Sequence, residues 1–484
     1  VRERPLGPDR TLLEPDDLPV DRAARAAALV ATARSLGDEA VLDPVIGSTS
    51  ILVRRGPVGG TLTPPAVTAT PARHEIPVVY DGPDLDALAR QHALRREAVV
   101  ELHTGVDYTA VLTGFLAGFA YLADLPVELR APRLATPRAR VGALSVGVAG
   151  PYAGVYPFDS PGGWNLLGRA VTGALFDPRA EVPPRIRLLD RVRFVSVDHA
   201  APLPSRSAGP SAPDPQAPCV IRITKLTGLA TLQDGGRPGV RRWGVPGSGA
   251  FDREAIALAR ERGAAAVAIE LMGGAIELTV ERGSTWVGTE GEVPRELAAG
   301  DTARWETGRR WSRLLGLGGG PVLEPLFGSC STLLGAVWAG ALGAPLTRGQ
   351  RLFLASAEPL RPERWPEFED PETPVLELQP LSDPRIASDA LAHLCATTRL
   401  VSSRSNRVGV RLEGAPIPSL GGGADESMPT VPGLVQLPQD GVPIVLGPDS
   451  ATTGGYPVLG VLTAASLSTL ARVRPGRPVR LVVS

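Results

Sequence analysis

Lysine is nearly absent from this chain of 484 residues: Lys225 stands alone, and arginine supplies the rest of the 50 basic side chains. A phosphate loop of the Gly-x-x-x-x-Gly-Lys-Ser/Thr type, a Schiff-base lysine and a biotinylated lysine in an Ala-Met-Lys-Met setting are thereby excluded. Cysteine is scarce as well. Cys219, Cys330 and Cys395 are widely spaced and odd in number, with no Cys-x-x-Cys or zinc spacing, which reads as reduced thiols in a cytoplasmic protein. The longest apolar run, Leu333 to Leu346, is short and broken by glycines, so neither a membrane span nor a signal core is expected. Charge of one sign is lacking too. With 50 basic against 51 acidic residues the net charge is −1, which leaves no overall field to draw nucleic acid or an anionic membrane. Finally, no Gly-x-Gly-x-x-Gly opens a βα unit, and His-Glu-x-x-His and Gly-x-Ser-x-Gly do not occur. Rossmann, zincin and α/β-hydrolase chemistry therefore fall away, and no dedicated metal site is expected.

Glycine (55) and proline (49) are plentiful, and they favour short strands joined by turns over a helical protein. The length predicts about three domains. Residues 1–73 read as a small α+β domain. Asp21 is a candidate N-cap for a helix with an alanine stripe, Gly37 stands where a C-cap belongs, and Ser50–Arg54 is strand-like. A Pro/Thr-rich connector follows from Gly59 to Pro71. Residues 74–198 read as a compact mainly-β domain carrying two helical patterns, one capped by Asp84 and one running from Arg95 to Leu102. Residues 199–218 are rich in Pro, Ala and Ser with almost no large apolar side chain, a composition expected of a disordered linker. Strand patterns restart at Cys219 and continue to Val479–Val483. The Pro/Glu-rich stretch Glu358–Pro374 divides residues 219–484 into two expected barrels.

Several polar, glycine-loosened segments are candidates for chemistry. Ser160-Pro-Gly-Gly-Trp-Asn-Leu-Leu-Gly-Arg169 offers close backbone approach at Gly162 and Gly163, a flat wall at Trp164 and a guanidinium fork at Arg169. A turn followed by a core tryptophan is the plain alternative. His103 suits a helix C-terminus or a general base, and Tyr108 and Tyr156 flank the same half. Arg133 and Arg138 can aim two forks at one anion, or lie solvated on the surface. In the second half Gln233, Asp234, Arg237, Arg242, Ser248 and Asp252 share one glycine-rich stretch suited to carboxylate and phosphate. Ser405, Asn406, Arg407 and Arg411 follow. A Thr-Thr-Gly-Gly-Tyr run holding Thr452, Thr453, Gly455 and Tyr456 echoes the first decapeptide.

These segments carry a family resemblance. His74-Glu-Ile-Pro-Val, His103 with Tyr108, Gly114-Phe, Gly118-Phe, Tyr121-Leu and Ser160-Pro-Gly-Gly-Trp164 through Gly168-Arg169 resemble the kinase-inhibitor-like proteins. That family includes the first subunit of allophanate hydrolase and the B subunit of 5-oxoprolinase. Gln233-Asp234, Gly236-Arg-Pro-Gly239, Ser248-Gly-Ala-Phe-Asp-Arg253, Ser405-Asn-Arg407, Arg411-Leu-Glu-Gly414 and Thr452–Pro457 resemble the companion C subunit. Both modules are similar to the carboxyltransferase part of urea carboxylase. The chain departs from the family pattern at Ala117, Tyr152–Ala153, Ala170–Val171 and Leu381–Arg385, and after Asp252.

The resemblance implies a mainly β protein with an α+β N-terminal segment and tandem cyclophilin-like β-barrels, one in the first half and two in the second. It also implies a cytoplasmic component of an ATP-dependent 5-oxoprolinase. That enzyme uses ATP with Mg2+ to phosphorylate the lactam carbonyl of 5-oxoproline, and water then opens the ring to glutamate. Arg237, Arg242, Arg407 and Arg411 would bind anions, Asp234 and Asp252 would handle metal or proton, and His103 would contribute from the first half. The remaining candidates named above would line the substrate pocket. A third subunit, a separate TIM-like barrel protein, is the implied partner, with homo-oligomers also open. Two other readings stay open: carboxyl transfer from a biotin carrier to urea or another amide, and inhibition of a histidine kinase.

Overall fold

The computed structural model describes residues 1–6, 10–36, 42–54, 70–199, 216–418 and 427–484. Gly37, most of the Pro/Thr-rich connector and most of the expected linker lie outside the described residues.

The N-terminal segment pairs four strands in the order Arg2–Pro5, Arg10–Glu14, Ile51–Arg54, Leu42–Ile46. Asp21 caps helix α1 (Arg22–Ser35) by accepting from the Ala24 N–H at 2.8 Å. Side chains alternate across these strands, so the sheet has two apolar faces. Leu13, Ile51 and Val53 pack on Leu29 and Val30 of α1. Leu12, Val45 and Leu52 face the other way, onto Val431, Leu434, Val458 and Val461 near the far end of the chain. The expected small domain is thus a layer between the two halves, because neither face alone encloses a core.

Seven strands then close a barrel in the order Tyr152–Val155, Ala120–Ala123, Asp107–Thr113, Arg191–Ser196, Arg73–Val79, Asn165–Ala170, Ser145–Ala149. The strand latest in sequence runs parallel to the earliest, Arg191 opposite Arg73 through Ser196 opposite Val78. Helices α2 (Leu85–Gln91) and α3 (Arg96–Thr104) pack against the barrel, burying Leu85, Leu88 and Val99 in its core. Asp84 sits at the N-cap of α2, but its carboxylate does not cap the helix. It accepts instead from Arg138 (2.6 Å) and the Leu166 N–H (2.7 Å), tying the helix to the barrel wall.

A second closed barrel of seven strands is built from Val375–Pro380, Val458–Leu462, Leu434–Gln436, Ile444–Leu446, Gly409–Glu413, Arg399–Val401 and Pro478–Val483. Here too the earliest and latest strands are parallel. Between the barrels lies an open seven-stranded sheet where a further barrel was expected. It is dominated by two 15-residue strands, Cys219–Gln233 and Ala268–Arg282. Register shifts at Val220/Ile221, Ile223/Lys225 and Thr227/Leu229 bend this pair. The second long strand meets Ser312–Leu317 at one end and Thr302–Glu306 at the other, and the terminal strands of the sheet, Arg295–Ala298 and Arg351–Leu354, do not pair with each other. Helix α4 (Arg253–Glu261) packs on this sheet, and α5 (Ala390–Ala396) and α6 (Ala464–Arg472) belong to the second barrel.

Candidate active site

The motif segments of the two halves meet. Gly114 at φ +124° ends the strand Asp107–Thr113 of the first barrel. Its carbonyl accepts from the Thr452 N–H at 3.1 Å, and Thr453 Oγ1 donates to the Thr113 carbonyl at 3.1 Å. From the other side Thr113 Oγ1 donates to the Arg242 carbonyl at 3.2 Å, and the Gly118 N–H to the Trp243 carbonyl at 3.0 Å. A Cβ on Gly244 would stand 2.5 Å from the Leu116 carbonyl oxygen, so only glycine permits this approach. The loop 113–118 is therefore clasped between residues 242–244 and 452–453.

Behind the clasp lie buried charges. Arg407 and Glu270 are each 1% exposed and paired, with Asp449 2.9 Å from Arg407 Nε. Ser248, held at φ +54°, donates to Asp449 (2.7 Å) and accepts from Arg407. Burial opposes both charges. The two carboxylates nevertheless hold the Arg407 guanidinium above its ordinary pKa, while burial pushes Glu270 up despite Arg407. Nearby, both oxygens of Asp234 are engaged: Oδ1 by the Gly236 N–H, Ser329 and Ser331, and Oδ2 by the Cys330 N–H. Asp252 caps α4 through the Ala255 N–H and forms a two-point ion pair with Arg472. Both aspartates are thus committed to structural partners rather than to a metal or a reacting proton. Among the described residues no group of three or more His, Cys, Asp or Glu could hold a metal ion.

Arg237 differs from its neighbours. It is 3% exposed, its Nη2 donates to the Ser331 carbonyl, and its Nε and Nη1 have no hydrogen-bond partner. Burial pulls its pKa below the ordinary arginine value, with Asp234 only partly offsetting this. Gln233 lies alongside, donating to Thr231 and the Thr332 carbonyl while its Oε1 stays unpartnered.

The Ser160–Arg169 segment splits. Tyr156, Trp164, Phe119 and Tyr121 form an edge-to-face aromatic cluster in which Trp164 is 5% exposed. Phe115, next to Gly114, joins it through Phe119 and Tyr156, so the cluster is continuous with the clasp. Burial pushes the Tyr156 hydroxyl up to about 12. Gly162 is required because a Cβ there would lie 2.5 Å from that hydroxyl, and Ser160 Oγ is buried without a partner. Gly163 receives the Leu134 N–H on its carbonyl. Arg138 is bound to Asp84 and the Trp164 carbonyl, Arg133 is exposed, and Arg169 is an exposed residue 4.0 Å from Asp81.

Other expected residues have structural work. His103 is fully buried in the first barrel, where its Nδ1 meets the Tyr80 hydroxyl at 2.7 Å and Phe194 stacks on its ring at 4.5 Å. Burial lowers its pKa to about 3, and Tyr108 donates to its carbonyl. A base so enclosed has no path to a ligand. Ser405 and Asn406 shape the loop that turns Arg407 inward, accepting from the Arg411 and Val408 N–H groups. Arg411 pairs with Asp440, the Gly455 carbonyl accepts from Arg385, and Tyr456 is 47% exposed. Glu270, Asp449, Ser331 and Arg241 were not anticipated. Asp449 and Ser450, separated from the Thr-Thr motif only by Ala451, offered the one local signal.

Residues 1–186 match the family described as carboxyltransferase domain, subdomain C and D, and residues 243–483 match carboxyltransferase domain, subdomain A and B. The second half is 31% identical over 290 residues to the C subunit of 5-oxoprolinase from Escherichia coli K12, covering 54% of this chain and 91% of that protein. The chain belongs to this carboxyltransferase-domain family. Its first half is 49% identical over 124 residues to the B subunit of 5-oxoprolinase from Escherichia coli O157:H7, covering 25% of this chain and 56% of that protein. The chain thus spans a little over half the length of that second relative. Over nearly the full chain it is similar to the crystallised protein TTHA0988, with a TM-score of 0.83, 30% identity, and 98% and 99% of the two chains covered. Kluyveromyces lactis urea carboxylase, at 21% identity and a TM-score of 0.50 over 55% of this chain and 27% of that one, shares the fold.

Proposed function

We propose that this chain is a fusion of the B and C subunits of an ATP-dependent 5-oxoprolinase. The observation that carries the reading is the clasp: the motif segment of the B-like half (113–118) is held by two segments of the C-like half (242–244 and 452–453). ATP and 5-oxoproline are the substrates. The γ-phosphoryl group passes to the lactam carbonyl oxygen and ADP leaves, after which water opens the ring, the ring nitrogen takes a proton, and glutamate and phosphate depart. Arg237 is the charged candidate with two buried donors left over, and its role is to hold anionic oxygen as charge builds. The aromatic cluster around Tyr156 and Trp164 shields the junction from water. Arg407, Glu270 and Asp449 act as the rigid floor that positions Ser248 and the loop behind it.

The third subunit of the relatives' enzyme is the proposed partner and the cytoplasm the proposed location. No helix among the described residues is long and apolar enough to cross a membrane. The test is 5-oxoproline-dependent ATP hydrolysis by the chain with the third subunit. Glutamate and phosphate should appear together, and Arg237→Ala should lower turnover at least about a hundredfold with an unchanged circular dichroism spectrum. Failure of both products to accumulate overturns the proposal.

Carboxyl transfer is the second reading, favoured by the carboxyltransferase description of both matched regions. The single lysine, Lys225, is exposed and paired with Glu277 on a strand, so biotin would have to arrive on a separate carrier. Carboxylation of urea by a carboxylated biotin carrier in the absence of 5-oxoproline would select this reading.

A further inference from the structure

The chain turns sharply at Leu326–Ser329. Leu326 and Ser329 bond each other in both directions, N–H to carbonyl, at 2.9 and 3.3 Å. The two residues between them, Phe327 and Gly328, stand at φ +53° and +73°. This is the two-residue hairpin in which both central residues take left-handed angles, a place suited to Asn-Gly. Glycine fits at 328. A bulky side chain in the left-handed region crowds its own backbone, so phenylalanine at 327 is an outlier. Among the described residues Phe327 is the one aromatic side chain at positive φ. Strain of this kind persists where the surroundings over-determine it, and it gathers at functional sites.

The ring of Phe327 touches both halves of the chain. Its centre lies 5.7 Å from that of Trp243, 6.1 Å from Trp338 and 6.4 Å from Phe176. Trp243 is the clasp residue whose carbonyl accepts the Gly118 N–H, and a Cβ on Gly118 would stand 2.9 Å from Phe176 Cβ. The main chain leaving the turn runs straight into the polar motif. The Ser329 and Ser331 hydroxyls and the Cys330 N–H hold Asp234. The Ser331 carbonyl accepts from Arg237 Nη2, and the Thr332 carbonyl accepts from Ser248 and Gln233. One hairpin thus has the clasp on its side-chain side and the Arg237 network on its main-chain side.

We propose that Phe327 is a positioning residue: its ring, seated between the halves, fixes segment 329–332 and through it the placement of Asp234 and Arg237. A ring that merely fills the core of the open sheet accounts for the packing but not for the strain, because asparagine at 327 would make the same turn at lower cost. With the ring gone, the turn is free to shift, and the Ser331 carbonyl that anchors Arg237 shifts with it. The effect on turnover rests on the anion-holding role given above to Arg237. The effect on the segment itself does not.

Three variants separate ring from strain. Phe327→Leu removes the ring and keeps the strain, Phe327→Asn removes both, and Phe327→Tyr keeps the ring. Hydrogen exchange of the intact chain, read by mass spectrometry, compares peptides covering 235–237 and 329–332 with the barrel strand Arg191–Ser196. In the Leu and Asn variants the first two regions should exchange at least about tenfold faster while the barrel strand keeps the parent rate, the mark of local opening. The Tyr variant should match the parent throughout. In the 5-oxoproline assay with the third subunit, the Leu and Asn variants should lose at least about tenfold in kcat with KM unchanged, because a misplaced Arg237 fails the transition state rather than the bound substrate. Unchanged exchange in the Leu and Asn variants, equal acceleration in the barrel strand, or a Tyr variant that behaves like Leu would each overturn the proposal. So would parent kcat in a variant whose segment 329–332 has loosened. If the parent chain itself does not turn over 5-oxoproline, the oxoprolinase reading fails, and the exchange rates still decide the role of Phe327.

Discussion

His103 shows how a residue suited to catalysis becomes part of a core. It ends a helical pattern with a hydroxyl on Nδ1, an aromatic ring across its face and Nε2 buried without a partner. Burial lowers its pKa from 6.5 to about 3. Between those values the unfolded chain binds a proton that the folded chain does not, so stability is complete above pH 6.5 and falls as the pH drops toward 3. The slope is about 1.4 kcal/mol per pH unit. The urea midpoint of the parent should therefore fall more steeply between pH 6.5 and 4.5 than that of His103→Gln; parallel profiles would mean the imidazole protonates within the fold. The same logic separates the other charged candidates. Asp234, Asp252 and Arg407 sit in polar, glycine-rich sequence that reads as a ligand site, and their residue types are right for one. Their partners, however, come from distant segments: Ser329–Ser331, Arg472 and Glu270. Sequence shows the charge but not the partner that neutralises it. Arg237 differs from these three in that two of its buried donors have no partner.

Local elements were legible where their cause is local. Asp21 with its alanine stripe marks α1, and the strands at Ser50–Arg54, Cys219 and Val479 follow from alternation. The Pro/Glu-rich stretch at Glu358–Pro374 does separate the open sheet from the second barrel. Barrel closure was a different matter. The strand Ala268–Arg282 splits its pairing between Ser312–Leu317 and Thr302–Glu306, and no composition signal marks that split. Glycine is the element-scale feature that carries most information, because so many record a close approach. Gly114 and Gly300 both have positive φ (+124° and +96°) and differ in surroundings: a Cβ on Gly114 would lie 2.5 Å from Thr452 Oγ1, while nothing lies within 4 Å at Gly300. Backbone strain from alanine is common to both, at about 1–3 kcal/mol. Gly114→Ala should cost about 1–3 kcal/mol more, the overpacking cost at the clasp. Thermal midpoints of the two variants measure the difference, and equal losses would show that the junction between the halves yields freely.

At the scale of the whole molecule, the two halves are joined less by their connection than by packing. The N-terminal sheet covers the second barrel with Leu12, Val45 and Leu52. Ala117 and Phe176 from the first half enter the core of the open sheet, and Phe158 packs against Trp338. The clasp adds hydrogen bonds from both directions. Removing the second half would expose all of this apolar surface at once, a patch of the kind that soluble monomers rarely tolerate. A protease site inserted between residues 205 and 206 puts this to the test. After complete cleavage the two pieces should still elute together at micromolar concentration and melt in one transition close to that of the uncut chain. Adding Gly114→Ala should loosen the nicked complex more than the intact chain, because in the nicked form nothing but the junction holds the halves at high local concentration. If the pieces separate under native conditions, the junction is a contact of convenience. The composite site argued from the clasp would then require the two halves to be held together by their linker.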